Sequence, residues 1–291
     1  MQKRCAMTPV SKKTAFVFAG GGSLGAVQVG MLRELLNAGV RADLVVGSSV
    51  GALNATYFAG VPNPAGVEEL ERIWRGLRRR DVFPITIPSA LGFIVGGDSL
   101  VDPSNLRGLI ERHIPFSKLE SAPIPVHVVA TNLGGEAICL SSGPTVEALL
   151  ASAAIPVAFP SVRIGEHHLI DGAVASNTPI LTAAALNATR IIVLPTGYAC
   201  ALREPPKGAI ARALHAITLL VAHQLVRDLR ELVGKIDVLT VPNPCPLDVT
   251  PYDFSRADQL IELAARHTKK WIDEGGLSRS EIPASLLAHS H

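Results

Sequence analysis

The chain has 291 residues, 48% of them hydrophobic, with 27 basic and 25 acidic side chains and a net charge of +2. That is enough apolar material for one large α/β domain, and the near balance of charge gives no electrostatic case for nucleic acid. Cys5, Cys139, Cys200 and Cys245 lie far apart, with neither C-x-x-C spacing nor a histidine at metal spacing, so they read as reduced, mostly packed thiols in a reducing, cytoplasmic compartment.

Residues 1–13 are basic but lead into a short strand rather than a long apolar run, which reads as a mobile tail and not a signal peptide. From Thr14 to Gly60 the pattern is strand, glycine turn, helix, strand, sharp turn, helix: short apolar runs at 15–19 and 44–46 flank a helical apolar repeat. Val67, Leu70, Ile73, Trp74 and Leu77 form the stripe of an amphipathic helix. Its end carries Arg72, Arg75, Arg78, Arg79 and Arg80, read as a solvated face complementing the helix C-terminus or, alternatively, as a contact for anionic headgroups. Residues 81–101 are apolar and broken by Pro84, Pro88 and glycines, which fits either a greasy flap or core packing.

A short helix is expected from 102 to 113, a strand at 126–131 with a hairpin partner at 138–140, and a small-residue helix at 145–154. A strand at 168–170 ends in Asp171-Gly172-Ala173, a helix opens at Thr178-Pro179, and a strand follows at 190–194. The stretch 209–232 is a long helix; its Arg212, His215, His223 and Gln224 argue for a core or interfacial position rather than a membrane span. A strand at 236–241 and a helix at 257–272 complete the domain, 14–274, before an irregular tail, 275–291. Strands alternating with helices predict a mostly parallel central sheet covered on both faces, a three-layer α/β/α arrangement.

Two backbone devices fall at one edge of that sheet. Gly20-Gly21-Gly22-Ser23-Leu24-Gly25 is a tight turn whose amides form an anion cradle at a helix N-terminus. Gly47-Ser48-Ser49-Val50-Gly51 fits the G-x-S-x-G elbow that raises its central hydroxyl, Ser49, above a sheet. An exposed nucleophile beside several N–H donors is the minimum equipment for acyl transfer. The glycines also match the dinucleotide pattern, but that fold wants an acidic residue at the end of the second strand, where this chain has Val46-Gly47-Ser48. A phosphate loop would need Lys-Ser or Lys-Thr after Gly25, and Ala26-Val27 stand there. An ordinary α/β-hydrolase places several strands before its elbow, whereas only 48 residues precede Ser49.

These residues resemble the patatin-like phospholipases. The resemblance rests on the glycine turn 20–25, the elbow 47–51, the block Ala151-Ser152-Ala153-Ala154-Ile155-Pro156 with Phe159-Pro160, and Asp171-Gly172-Ala173, in family order across residues 14–195. It implies a patatin-like three-layer fold and hydrolysis of lipid acyl esters, of phospholipase A or lysophospholipase type, without metal or other cofactor. Ser49 then corresponds to the nucleophile, Asp171 to its base and the Gly21 and Gly22 amides to the oxyanion hole, with Gly20, Gly25, Gly47, Gly51 and Gly172 supporting the turns. Leu24 stands where many members carry Arg or Lys, and Ala173 replaces the second glycine of Asp-Gly-Gly.

A dyad is chemically sensible, because a carboxylate in a water-poor site becomes a stronger base than its reference value. None of the nine histidines, including His127, His167 and His168, is assigned chemistry. The expected partner is a lipid or phospholipid, with peripheral membrane contact and no nucleic acid. Acyl transfer at the same site, or a noncatalytic lipid- or nucleotide-binding module on this fold, are the alternatives.

Overall fold

The computed structural model describes residues 13–84, 99–197, 209–245, 247 and 249–280, with the backbone alone for 209–211, 213–215 and 218. Most of the segment expected as flap or core, and all but Lys13 of the N-terminal tail, lie outside the described residues.

In chain order the elements are β1 (Thr14–Phe18), a 3-10 turn (Gly22–Gly25), α1 (Ala26–Asn37), β2 (Leu44–Ser48), α2 (Val50–Gly60), α3 (Pro64–Gly76) and α4 (Arg79–Val82). They continue with α5 (Ser104–His113), β3 (Val126–Asn132), β4 (Ala137–Leu140), α6 (Thr145–Ser152), β5 (Val162–Ile164) and β6 (His167–Asp171). The last are α7 (Ala173–Ser176), α8 (Ile180–Ala185), β7 (Arg190–Leu194), α9 (Ala209–Leu232), β8 (Asp237–Thr240) and α10 (Ala257–Asp273).

The strands form one sheet in the order β5-β6-β3-β2-β1-β7-β8, with β4 paired to β3 off this path. From β3 to β8 every pairing is parallel, and the β4, β5 and β6 pairings are antiparallel. Side chains alternate across a strand, and β1 shows the consequence. Phe16 and Phe18 join the core beneath α1, α2, α3 and α10, while Ala15 and Val17 join the core beneath α8 and α9. The sheet is thus sandwiched between helical layers, the expected α/β/α architecture, and β1 and β2 are buried throughout, as parallel strands covered on both faces must be.

Among the described residues, three of the five arginines at the end of α3 have intramolecular partners. Arg78 Nη1 donates to the carbonyls of Arg75, Gly76 and Leu77 at the end of α3, Arg72 pairs with Glu69, and Arg75 pairs with Glu71, Asp258 and Glu262. Arg33 on α1 also bridges Glu71 and Glu262, so α1, α3 and α10 share one ion-pair network. At the C-terminus, where the sequence suggests irregular chain from 275, residues 276–278 form a 3-10 turn with Gly276 buried, and the Ser280 hydroxyl exchanges hydrogen bonds with the backbone of Val238.

Candidate active site

Ser49 is the single residue between β2 and α2, with φ 55° and ψ −129°. A non-glycine residue at such angles is strained and is held there only by its surroundings. Gly51 makes the turn possible: a Cβ on it would run into the carbonyl oxygens of Phe18 and Ala19. The Ser49 amide donates to Ser152 Oγ at 2.9 Å, and Ser152 in turn donates to the Val129 carbonyl at 2.6 Å. The Ser49 hydroxyl donates to Asp171 Oδ2 at 2.7 Å.

The pairing of β3 explains that contact. Strand β4 occupies one edge of β3 at residues 128–131, so β2 and β6 share the other edge, β2 at residues 126–129 and β6 at 130–132. Ser48 is opposite Val129 and Asp171 opposite Ala130, so the two strands meet end to end with their functional residues adjacent. Asp171 Oδ1 accepts from the Ala173 amide at 2.8 Å, its backbone amide donates to Ala154, and its carbonyl accepts from Thr131 Oγ1 at 2.8 Å. Burial pushes the carboxyl up to about 6, against the opposing pull of the Ser49 hydroxyl and the Ala173 amide. A group with that affinity is a competent proton acceptor near neutral pH.

Among the described residues no histidine hydrogen-bonds to Ser49 or Asp171. His167 and His168 are exposed on β6, and His127 lies 3.7 Å from Cys139. Asp102 caps the start of α5 through the Ser104 amide, and no described cluster of three or more His, Cys, Asp or Glu is placed to hold a metal ion.

The glycine turn can be accounted for group by group. The Gly20 amide donates to the Asn177 carbonyl and its carbonyl accepts from Thr196 Oγ1 at 2.5 Å. Ser23 donates through its amide to Pro251 and through its hydroxyl to Thr250, and the Leu24 amide returns to the Gly21 carbonyl. Between Gly20 and Leu24 the amides of Gly21 and Gly22 alone meet no acceptor among the described residues. Gly22 has φ 58°, and a Cβ on it would strike the Pro251 carbonyl. Among the described residues the turn thus leaves two amides without an acceptor beside the elbow, donors of the kind an oxyanion would need.

A buried amide network fixes both devices to each other. Gln28 Nε2 donates to the carbonyls of Ala19 and Leu194 at 2.8 and 2.9 Å. Asn54 Nδ2 on α2 donates to the Gly25 carbonyl at 3.0 Å and to Gln28 Oε1 at 2.8 Å, and Asn54 Oδ1 accepts from Trp74 Nε1 at 2.9 Å. Both ends of the glycine turn are thereby tied to the helix that follows Ser49. Gln28, Asn54 and Thr131 are assigned no role by sequence reasoning, Trp74 is read there only as part of an apolar stripe, and Ser152 only as part of the family block. The available signal is polar side chains at otherwise apolar positions of buried helices.

Ser49 and Gly22 open onto a cavity of about 100 Å³ that reaches between α2, α3 and α5 as far as Tyr57 and His113. Its walls are almost entirely carbon, including Leu53, Ile73, Phe83 and Phe159.

Comparison with known proteins follows the same lines. An uncharacterized NTE family protein of Mycobacterium tuberculosis is 24% identical over 185 residues, covering 63% of this chain and 49% of its own. The Mus musculus patatin-like phospholipase domain-containing protein 7 is 24% identical, covering 91% of this chain and 21% of its own. The chain thus spans at most about half the length of these curated relatives. Human GIVD cytosolic phospholipase A2 in complex with methyl gamma-linolenyl fluorophosphonate shares the fold, with a TM-score of 0.50 at 12% identity over 91% of this chain and 58% of that one. The family model described as patatin-like phospholipase matches residues 16–184, and with more than half its length inside that match the chain belongs to the patatin-like phospholipase family.

Proposed function

We propose that this protein is a serine esterase that hydrolyses lipid acyl esters, of phospholipase A or lysophospholipase type. The observation that carries the reading is the 2.7 Å hydrogen bond from Ser49 Oγ to the buried Asp171 carboxylate at the mouth of an apolar cavity. The family membership and the phospholipase named in the structural comparison support the choice of lipid.

In the mechanism, Asp171 takes the Ser49 proton as Oγ attacks the ester carbonyl carbon, and the Gly21 and Gly22 amides hold the resulting oxyanion. Collapse of the tetrahedral species breaks the bond to the leaving alkoxide, which departs with the proton from Asp171 and leaves an acyl-Ser49 ester. Water then gives a proton to Asp171 and attacks the same carbonyl, and the second collapse returns that proton to Ser49 and frees the fatty acid. The proton balance closes over the cycle with Asp171 as its only carrier.

Labelling the folded protein with a fluorophosphonate probe and mapping the adduct tests this. Modification of Ser49, together with turnover of a short soluble ester, is the expected result. An adduct on Ser48 or Ser23, or none, would turn the reading toward a noncatalytic lipid-binding module.

A further inference from the structure

The cavity follows α2 away from the elbow. Ser49, Leu53 and Tyr57 all border it, and residues four apart share a helix face, so it tracks that face for two turns. At about 1.5 Å of rise per residue, Tyr57 stands roughly 12 Å from Ser49 along the axis. Helix α5 forms the facing wall from Leu106 to His113, a run of similar length.

Among the described residues the wall between the two ends offers no free polar side chain. Asn54, which borders the cavity, has its amide fully engaged by Gly25, Gln28 and Trp74. The far end differs: among the described residues neither the Tyr57 hydroxyl nor the His113 ring has a hydrogen-bond partner. Both lie within electrostatic reach of Glu69, which pairs with the exposed Arg72. Burial pushes the Tyr57 phenol up and the His113 imidazole down, so both are neutral, polar groups near pH 7.

We propose that this cavity is the acyl-chain channel and that Tyr57 and His113 end its apolar section, making the protein selective for acyl chains of on the order of eight to ten carbons. The proposal rests on the esterase reading of Ser49. Each methylene placed against the apolar wall should raise kcat/KM by about fourfold, and methylenes beyond Tyr57 and His113 should add nothing.

The test is kcat/KM on soluble esters with acyl chains from four to sixteen carbons, all kept below their micelle concentrations. The expected plot of log kcat/KM rises to a break near eight to ten carbons and then levels or falls. Replacing Tyr57→Phe together with His113→Leu makes the far end apolar and should raise the twelve-to-four-carbon ratio of kcat/KM at least about tenfold. Leu53→Trp fills the channel and should lower that ratio. A straight rise through sixteen carbons in the unaltered protein overturns the channel assignment, and so does a break that neither variant moves. Should the variants not fold, the unaltered protein's series still decides. No turnover on any ester, with Ser49 unlabelled, strikes the esterase reading itself, whereas turnover without a break strikes the channel alone.

Discussion

Ser49 and Asp171 stand 122 residues apart in sequence and 2.7 Å apart at their side-chain oxygens, because β2 and β6 abut along one edge of β3. The sheet register, rather than any local motif, sets that distance. Both side chains are nearly inaccessible, and the carboxylate's second oxygen is held by the Ala173 amide, so the pair has little freedom to drift apart.

Groups that act as one unit do not add when removed. In the proposed mechanism Ser49→Ala and Asp171→Asn should each lower turnover of a short ester at least about a thousandfold, with the double variant little worse than either. Steady-state kinetics on the three variants checks this. Losses that multiply would show two independent contributions, and a fully active Asp171→Asn would reduce Asp171-Gly172 to a turn.

The carboxyl at about 6 makes two pH predictions of opposite sign. Turnover needs the ionised base, so kcat/KM should rise with pH through about 6 and then level. Stability runs the other way. The folded state binds this proton more tightly than the unfolded chain does, so its contribution is fully present below about pH 4 and is lost as pH rises through about 6. Asp171→Asn should therefore raise the unfolding midpoint at pH 8, by up to about 3 kcal/mol in stability, with the gain vanishing near pH 4. A midpoint difference independent of pH would show that burial of charge at Asp171 is not its cause.

Much of this site is legible in the sequence because backbone devices leave marks that side-chain networks do not. Glycines at 20–22, 47 and 51 are forced by close approach and unusual dihedrals, and small residues at such spacing are readable directly. Asp171 is legible only through the family resemblance, since Asp-Gly by itself is a common turn and the β3 register that delivers it is not visible locally. Strands β5 and β6 form a hairpin at the sheet's edge whose first strand, Val162–Ile164, is too short for a periodicity. Gln28 and Asn54 are hidden by their company: each lies within an apolar helix, and only the tertiary structure shows that their amides face each other.

Two serines near the elbow should respond differently to alanine. Ser152 satisfies two buried backbone groups, the Ser49 amide and the Val129 carbonyl. Ser152→Ala strands both, and each buried orphan costs about 1–3 kcal/mol. Ser48 is equally buried, but its hydroxyl has no partner among the described residues, so Ser48→Ala should be neutral or stabilising. Thermal unfolding of the two variants side by side gives the comparison. Equal destabilisation would show that the hydroxyls are interchangeable packing atoms.

The amide network makes the final prediction, that Gln28 positions the glycine turn for catalysis and does not merely fill the core. Gln28→Met keeps an unbranched side chain of similar length and removes every hydrogen bond. The carbonyls of Ala19 and Leu194, immediately before the turn and at the end of β7, then lose their amide donor, and Asn54 loses its acceptor in Gln28. Stability should fall, but a purely structural residue would leave the folded fraction with normal kinetics. A positioning residue should instead lower kcat by at least about tenfold with KM nearly unchanged, since misaligned amides weaken the transition state more than the ground state. Trp74→Phe provides the control: it cuts the bond to Asn54 Oδ1 and leaves the Ala19, Leu194 and Gly25 carbonyls tied. Its kcat loss should be several times smaller than that of Gln28→Met even at a similar loss of stability. If kcat follows the unfolding midpoint alone across both variants, the network is scaffolding and the turn keeps its shape through Asn177, Thr196 and Pro251.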